Sequence, residues 1–189
     1  MTGWKRGAKC IKTANSIFQK SSMSKPEVST YIKSSKGDEL QINLLPLDGR
    51  YISQEVRDLI NGKTEVLMVE LDRIKGQAPV GHLVLSQIEQ IVAKVFADKR
   101  NTLLCFLCDF LSPVPQTRKT IPCQEYRSRL FTKMFERYIS KHAIEEEVIQ
   151  TVIAINGIRD TYYIHLIARK EHMQYVQIIS EDIKIGFSK

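Results

Sequence analysis

The chain has 189 residues, of which 43% are hydrophobic and 26% are charged, and this composition excludes wholesale disorder. A chain of this length buries a core without disulfide or metal staples. No apolar stretch is long enough to span a bilayer, and the basic N-terminus lacks the apolar region of a secretory signal, so we expect no membrane partner. Two of the four cysteines lie in an apolar run, which is typical of buried free thiols in a reducing compartment, so we expect a soluble cytoplasmic protein.

The formal net charge of +7 is unevenly distributed. Residues 1–30 carry six lysines and arginines against one glutamate, a net charge of +5, which leaves +2 for the remainder. We therefore predict a basic, flexible tail at residues 1–27 and a single domain at residues 28–189. Two alternatives stay open for the tail: a basic amphipathic segment, or a true translation start at Met23 that leaves residues 1–22 outside the protein.

The first half of the domain shows a hairpin, a strand and a helix. Residues 28–34 and 39–45 are β-rich runs around a turn-forming cluster, and they predict the hairpin. Residues 55–60 are compatible with a short helix, and residues 65–74 are predicted as a strand. A helix is predicted from Leu83 to Lys99, because apolar residues recur there at the spacing of one buried helical face. These residues are Val84, Ile88, Ile91, Val92 and Val95.

The second half of the domain is predicted to begin with a strand, a loop and a helix. Residues 102–110 form a near-continuous apolar run, which predicts a strand buried on both faces. A loop with three prolines follows at 111–122, and Pro122 is suited to begin a helix that runs to Lys141. The apolar stripe predicted for this helix consists of Tyr126, Leu130, Met134 and Tyr138, widened by Phe131 and Phe135.

A second hairpin and a last helix complete the pattern. Residues 148–155 and 158–168 are β-rich, and Asn156-Gly157 between them favours a type I′ turn. A helix is predicted from Glu171 to Ile183. The order β-β-β-α-β-α-β-β-α, with a hairpin at each end, predicts an α+β fold: a largely antiparallel sheet with helices packed on one face.

The cysteines and histidines do not form a recognisable site. Cys105 and Cys108 have the spacing of a redox or zinc half-site, but on a strand such residues point to opposite faces. A second Cys or His pair that would complete a zinc site is missing from the sequence, and the four histidines are scattered. We expect Cys105 and Cys108 to be inert, and we expect neither a metal nor a cofactor.

Asp109 ends the buried strand and begins the proline-rich loop. Carboxylates at strand ends hold metals or catalyse in many enzymes, so Asp109 is the centre of one hypothesis, an unrecognised enzyme. The alternative is that Asp109 simply caps a turn, and we favour that interpretation.

The helix predicted at 122–141 carries the feature that points most clearly to a partner. Arg129, Lys133, Arg137 and Lys141 recur every four residues and draw a cationic line along it. Arg118 and Arg127 are predicted to extend this basic region. Like charges at this spacing repel each other, which suggests an acidic partner. A solvated helix face, or pairing with carboxylates elsewhere, is the alternative.

The sequence also resembles a family of small uncharacterised proteins from Bacteroidetes. The resemblance rests on the run Leu103 to Asp109, the segment Arg127-Ser-Arg-Leu-Phe-Thr-Lys-Met-Phe135, the Tyr162-Tyr163 strand and the final helix. It covers about residues 28–187. Met134 stands where the family pattern has tryptophan, and Thr132 where it often has aspartate. The resemblance implies the domain limits but no activity.

Three functions are consistent with these observations. The first is a non-enzymatic interaction module that binds an acidic protein through the basic helix. The second is nucleic-acid binding by the same helix and the tail. The third is an enzyme centred on Asp109. A salt series separates the first two, because binding to duplex DNA weakens with a slope of about −0.9 per neutralised phosphate.

Overall fold

The computed structural model describes residues 26–47, 51–76, 82–108, 121–142, 147–157 and 161–187. Within these ranges the chain forms six strands and four α-helices. The strands are β1 Val28–Lys33, β2 Glu39–Pro46, β3 Glu65–Lys75, β4 Thr102–Cys108, β5 Val148–Asn156 and β6 Thr161–Arg169. The helices are α1 Gln54–Ile60, α2 His82–Asp98, α3 Cys123–His142 and α4 Met173–Phe187, the last preceded by a 3₁₀ turn at Lys170–His172.

The strands form one sheet in the order β1-β2-β3-β4-β6-β5. All neighbours are antiparallel except β3 and β4, which run parallel and are joined through α2. A parallel pair needs such a crossover connection, because the chain has to return to the same end of the sheet. The predicted α+β class and the largely antiparallel sheet are confirmed.

The helices cover both faces of the sheet, so the predicted arrangement on one face is wrong. In β4, Leu103 and Cys105 face a core that includes residues of α1 and α4. Leu104 and Phe106 face a second core, formed with α2 and α3. Side chains alternate along a strand, and a strand that is apolar at every position therefore needs cover on each side.

The hairpin of β5 and β6 forms with a longer connection than predicted. Asn156 pairs with Thr161, so the connection takes residues 157–160 and the predicted two-residue type I′ turn is wrong. The core explains this register: Ile153 lies opposite Ile164, and both are buried in the same cluster. A two-residue turn at Asn156-Gly157 would place Asp160 opposite Ile153 instead, on the buried face.

The hairpin of β1 and β2 is fastened to the end of β3 by a buried ion pair. Arg73 Nη1 lies 2.8 Å from Asp38 Oδ1, and the two side chains are 10% and 8% exposed. The hydroxyl of Ser34 donates to the other carboxylate oxygen of Asp38 at 3.1 Å. Gly76, with φ of +91°, comes directly after β3 and packs against Asp38.

The first described residues are held by the sheet and by Lys99, the residue that directly follows α2. The Glu27 backbone N–H donates to the Leu44 carbonyl at 2.9 Å, and the Lys99 ammonium contacts the Glu27 carboxylate. Lys99 Nζ also lies 3.1 Å from Glu65 Oε2. Glu27 therefore lies with the domain although it falls in the predicted tail, whose residues 1–25 are outside the described part of the chain. Among the described helices, none has the length and apolarity needed to cross a membrane.

Candidate functional site

Four of the predicted cationic residues lie on the solvent-facing side of α3. Arg129, Lys133, Arg137 and Lys141 are all exposed, and we call them the basic stripe. Arg129 Nη2 lies 2.5 Å from Glu125 Oε1, and the Arg129 side chain is still 64% exposed. The stripe spans about three helical turns, roughly 18 Å at 1.5 Å per residue. Its side chains are free of the core and available to a partner surface.

Arg127 does not extend this surface. It is 1% exposed, which makes it one of the largest fully buried side chains of the described residues. Its Nη2 lies 3.7 Å from Cys123 Sγ, one turn earlier in the same helix. The expectation that Arg127 joins an exposed basic region is therefore wrong. Arg118 and Asp109, the other two predicted site residues, lie outside the described part of the chain.

The N-terminal half of α3 turns a polar face toward the sheet. Gln124, Arg127 and Ser128 are its buried residues, whereas the predicted apolar stripe is only half-buried. Phe131 and Phe135 continue the inward face and pack against the core shared with α2. The helix therefore changes from polar to apolar along its inner side.

Ser128 belongs to a buried hydrogen-bonded trio with two residues of the sheet. Ser128 Oγ lies 2.9 Å from Nε2 of His165 in β6, and Gln150 Nε2 in β5 lies 2.7 Å from the other ring nitrogen, Nδ1. His165 is completely buried. Burial lowers the pKa of His165 to about 4, so the imidazole is neutral at neutral pH.

The direction of these hydrogen bonds argues against a nucleophilic role for Ser128. An amide N–H of Gln150 donates to Nδ1, so the single ring proton sits on Nε2 and is donated to Ser128 Oγ. A serine nucleophile needs the reverse order, in which the imidazole accepts the hydroxyl proton and an acidic group orients the ring. The trio is better suited to fixing α3 on the sheet.

An apolar cavity of about 70 Å³ lies beside this trio. Helices α2 and α3 flank it, and β4, β5 and β6 form its floor. The walls carry Val92 and Phe96 from α2 and Phe131, Met134 and Tyr138 from α3, while His165 and Gln150 reach it from below. It is only partly enclosed and is therefore open to solvent.

The two cysteines of β4 are buried thiols. Cys105 is 2% exposed and Cys108 is completely buried. Burial raises the pKa of Cys105 to about 12, and the neighbouring Cys108 adds to the effect. In the described residues no group of three or more His, Cys, Asp and Glu side chains is arranged to hold a metal ion.

We predict that thiol reagents discriminate among the cysteines of the native protein. Cys123 is partly exposed, so it should label faster than Cys105 and Cys108 by about a hundredfold or more, because thiolates are the reactive species and both strand cysteines are buried. Peptide mass spectrometry after timed alkylation measures this, with labelling in urea as the control for reagent access. Rapid native labelling of Cys105, or zinc bound at one ion per chain, would contradict it.

No family model matches this chain. Nor is any curated protein or solved structure significantly similar to it. The resemblance to the Bacteroidetes family therefore stays a prediction, and the function has to be argued from the residues themselves.

The sequence pattern did not reveal the buried trio. Ser128, Gln150 and His165 lie on three different elements, and Ser128 and His165 are 37 residues apart in the chain. The inward position of Arg127, in contrast, was predictable from the sequence. Arg127 precedes Phe131 by four positions and follows Gln124 by three, the spacing of one helical face, whereas Arg129 belongs to the opposite face.

Proposed function

We propose that this protein is a non-enzymatic interaction module that binds an acidic surface of a partner protein through the basic stripe. The observation that supports this most directly is the exposure of all four stripe residues in one line along α3. Four cations on one face attract an acidic surface, and they speed encounter as well as strengthening the complex.

The electrostatic repulsion among the stripe residues within α3 supports the same proposal. Like charges four residues apart destabilise a helix by a few tenths of a kcal/mol per pair. Glu125 pairs with Arg129 and offsets part of that repulsion. Lys141 also lies in the last turn, where a cation interacts favourably with the helix dipole. For Lys133 and Arg137 the described residues supply no ion pair, and a partner surface explains their placement better than helix stability does.

Nucleic-acid binding is the second candidate, because a regular line of cations also suits a phosphate backbone. The two candidates differ in the probe that binds. An acidic protein surface is represented by polyglutamate, and a phosphate backbone by duplex DNA of random sequence. If duplex DNA binds more tightly than polyglutamate at physiological salt, with a slope of about −0.9 per neutralised phosphate, the second candidate replaces the first.

We predict that replacing Arg129, Lys133 and Arg137 together with glutamine leaves stability within about 0.5 kcal/mol of the parent. Glutamine has similar helix propensity, and the lost Arg129–Glu125 pair is offset by the removed repulsion. Affinity for polyglutamate should fall by about tenfold, which corresponds to roughly 0.5 kcal/mol for each lost charge. Urea unfolding and fluorescence anisotropy measure the two quantities.

Arg127→Gln is the matched control on the same helix. The chemical change is the same, but Arg127 is buried, so its loss should lower stability by about 1–3 kcal/mol through lost packing. Affinity of the folded protein for polyglutamate should stay unchanged. A marked drop in the melting temperature of the triple variant, or equal polyglutamate binding by parent and triple variant, would end the proposal.

A further inference from the structure

The cavity between α2 and α3 adjoins the basic stripe. Arg137 follows Met134 by three positions and Lys141 follows Tyr138 by three, so each cation is a surface neighbour of a residue that lines the cavity. The cavity and this end of the stripe therefore form one surface, which we call the groove. It is apolar at its centre and cationic along the α3 edge. On the opposite wall, Glu89 is the charged residue of the described lining.

The volume of the cavity restricts what can occupy it. Pockets that bind small molecules measure about 300–1,000 Å³, and an engineered apolar cavity known to bind benzene measures about 150 Å³. The cavity here measures about 70 Å³ and is open on one side. That space suits the end of one aliphatic side chain delivered from outside, but not a complete organic ligand.

The walls of the groove also disfavour a nucleobase. A base carries hydrogen-bonding groups along its edge, and these groups lose free energy when they are buried without partners. Within the described lining, His165 and Gln150 already bond to each other, and the rest of the lining is largely apolar. An aliphatic side chain has no such requirement.

We propose that the groove docks an acidic amphipathic helix of a partner protein. One aliphatic residue of that helix enters the cavity, its apolar neighbours rest on Val92 and Met134, and its acidic flank meets Arg137 and Lys141. This is helix-in-groove recognition, in which anchors at i, i+3, i+4 and i+7 lie on one apolar face. The proposal rests on the proposed function of the stripe and adds the shape of the partner.

The test uses the full chain and two synthetic probes. One peptide carries leucines at i, i+3, i+4 and i+7 with glutamates beside them, and the other has the same composition in scrambled order. Ala93 lines the cavity from α2, so Ala93→Phe should fill it from within. We expect this variant to bind the amphipathic peptide about tenfold more weakly than the parent, which corresponds to about 1.4 kcal/mol. Its affinity for polyglutamate should equal that of the parent. Filling a cavity commonly leaves stability equal or higher.

Gln87→Phe is the matched control for the new aromatic ring. Gln87 is exposed on α2 and is not part of the described lining, so this variant should bind the amphipathic peptide like the parent. Equal binding of the peptide by parent and Ala93→Phe would overturn the groove proposal and leave the stripe proposal standing. If the triple glutamine variant binds polyglutamate and the amphipathic peptide as tightly as the parent does, the stripe proposal is defeated instead.

The N-terminal segment of the chain is the competing occupant, and Trp4 reports on it. Trp4 is the single tryptophan of the sequence, so its fluorescence comes from that segment alone. We expect the emission maximum of Trp4 to be the same in the parent and in Ala93→Phe. A blue-shifted emission in the parent that moves to the red in Ala93→Phe would assign the groove to the N-terminal segment and overturn the proposal.

Discussion

Replacing Asp38 with alanine is expected to lower the free energy of unfolding by about 3 kcal/mol or more. The Asp38 carboxylate accepts from Arg73 at 2.8 Å in a site where the two side chains are 8% and 10% exposed. Removing one member of a buried ion pair leaves the other charge where water solvates it poorly. The change also removes the oxygen that accepts from Ser34 in the hairpin turn. Urea unfolding of parent and variant at neutral pH measures the loss.

The same hairpin supplies a control at its surface. Lys33 Nζ lies 3.2 Å from Glu39 Oε1, but the two side chains are 75% and 31% exposed. Exposed pairs contribute about 0–1 kcal/mol, so Glu39→Ala should cost less than about 1 kcal/mol. Losses of equal size in Asp38→Ala and Glu39→Ala would show that burial does not decide the strength of the Asp38–Arg73 pair.

Gly76 gives a second measure of the same contact. A Cβ atom at this position would collide with Asp38 Oδ1, and the φ of +91° is one that residues with side chains rarely adopt. Gly76→Ala should therefore be strongly destabilising in the parent and less so in Asp38→Ala, where the colliding carboxylate is gone but the positive φ of residue 76 and the nearby Cα of residue 38 remain. Double-mutant analysis reports this as a coupling energy, which neighbours in contact show and distant residues do not. If the stability losses of Gly76→Ala and Asp38→Ala add strictly in the double variant, the contact between Gly76 and Asp38 is excluded.

Helix α2 and strand β4 are the elements whose burial the sequence predicted best. Val84, Ile88 and Val92 are all buried, as their spacing indicated, because a long amphipathic pattern is compatible with one helix face only. The apolar run of β4 correctly indicated a strand buried on both sides. That burial requires cover on two faces of the sheet, whereas hairpins at both ends of the sheet are compatible with cover on one face or on two.

The burial of the inner face of α3 could not be predicted from local periodicity. Ser128 and Gln124 are buried although both are polar, and polar residues ordinarily mark the solvent side of a helix. Ser128 is tolerated there because it bonds to His165, and that partner comes from a strand whose position is set by the sheet order. The prediction of the basic stripe, in contrast, required only the helical spacing of its residues. All four residues are exposed, in agreement with that spacing.

Acid is expected to destabilise this protein through His165. Burial lowers its pKa to about 4 in the folded chain, while an unfolded chain has the ordinary value near 6.5. Between these values the unfolded state takes up a proton that the folded state does not. Stability is therefore complete above about pH 6.5 and is lost as the pH falls toward 4, by an amount on the order of 3 kcal/mol. Urea unfolding at a series of pH values measures this loss.

Comparing the parent with His165→Gln isolates the contribution of His165 to acid destabilisation, because the other titratable groups are the same in both proteins. The variant should lose less stability between pH 7 and pH 4.5, by about 2–3 kcal/mol, because glutamine takes up no proton. His142→Gln is the matched control, since His142 is exposed near the end of α3 and its replacement leaves the buried trio untouched. Protonation of His165 would also set an N–H against the Gln150 amide donor at Nδ1, so the ring could be charged only if that amide turned over. Parallel pH profiles for the parent and His165→Gln would show that His165 takes up a proton as readily in the folded chain as in the unfolded one. The arrangement in which a neutral His165 ring bonds to Ser128 and Gln150 and holds α3 on the sheet would then have to be abandoned.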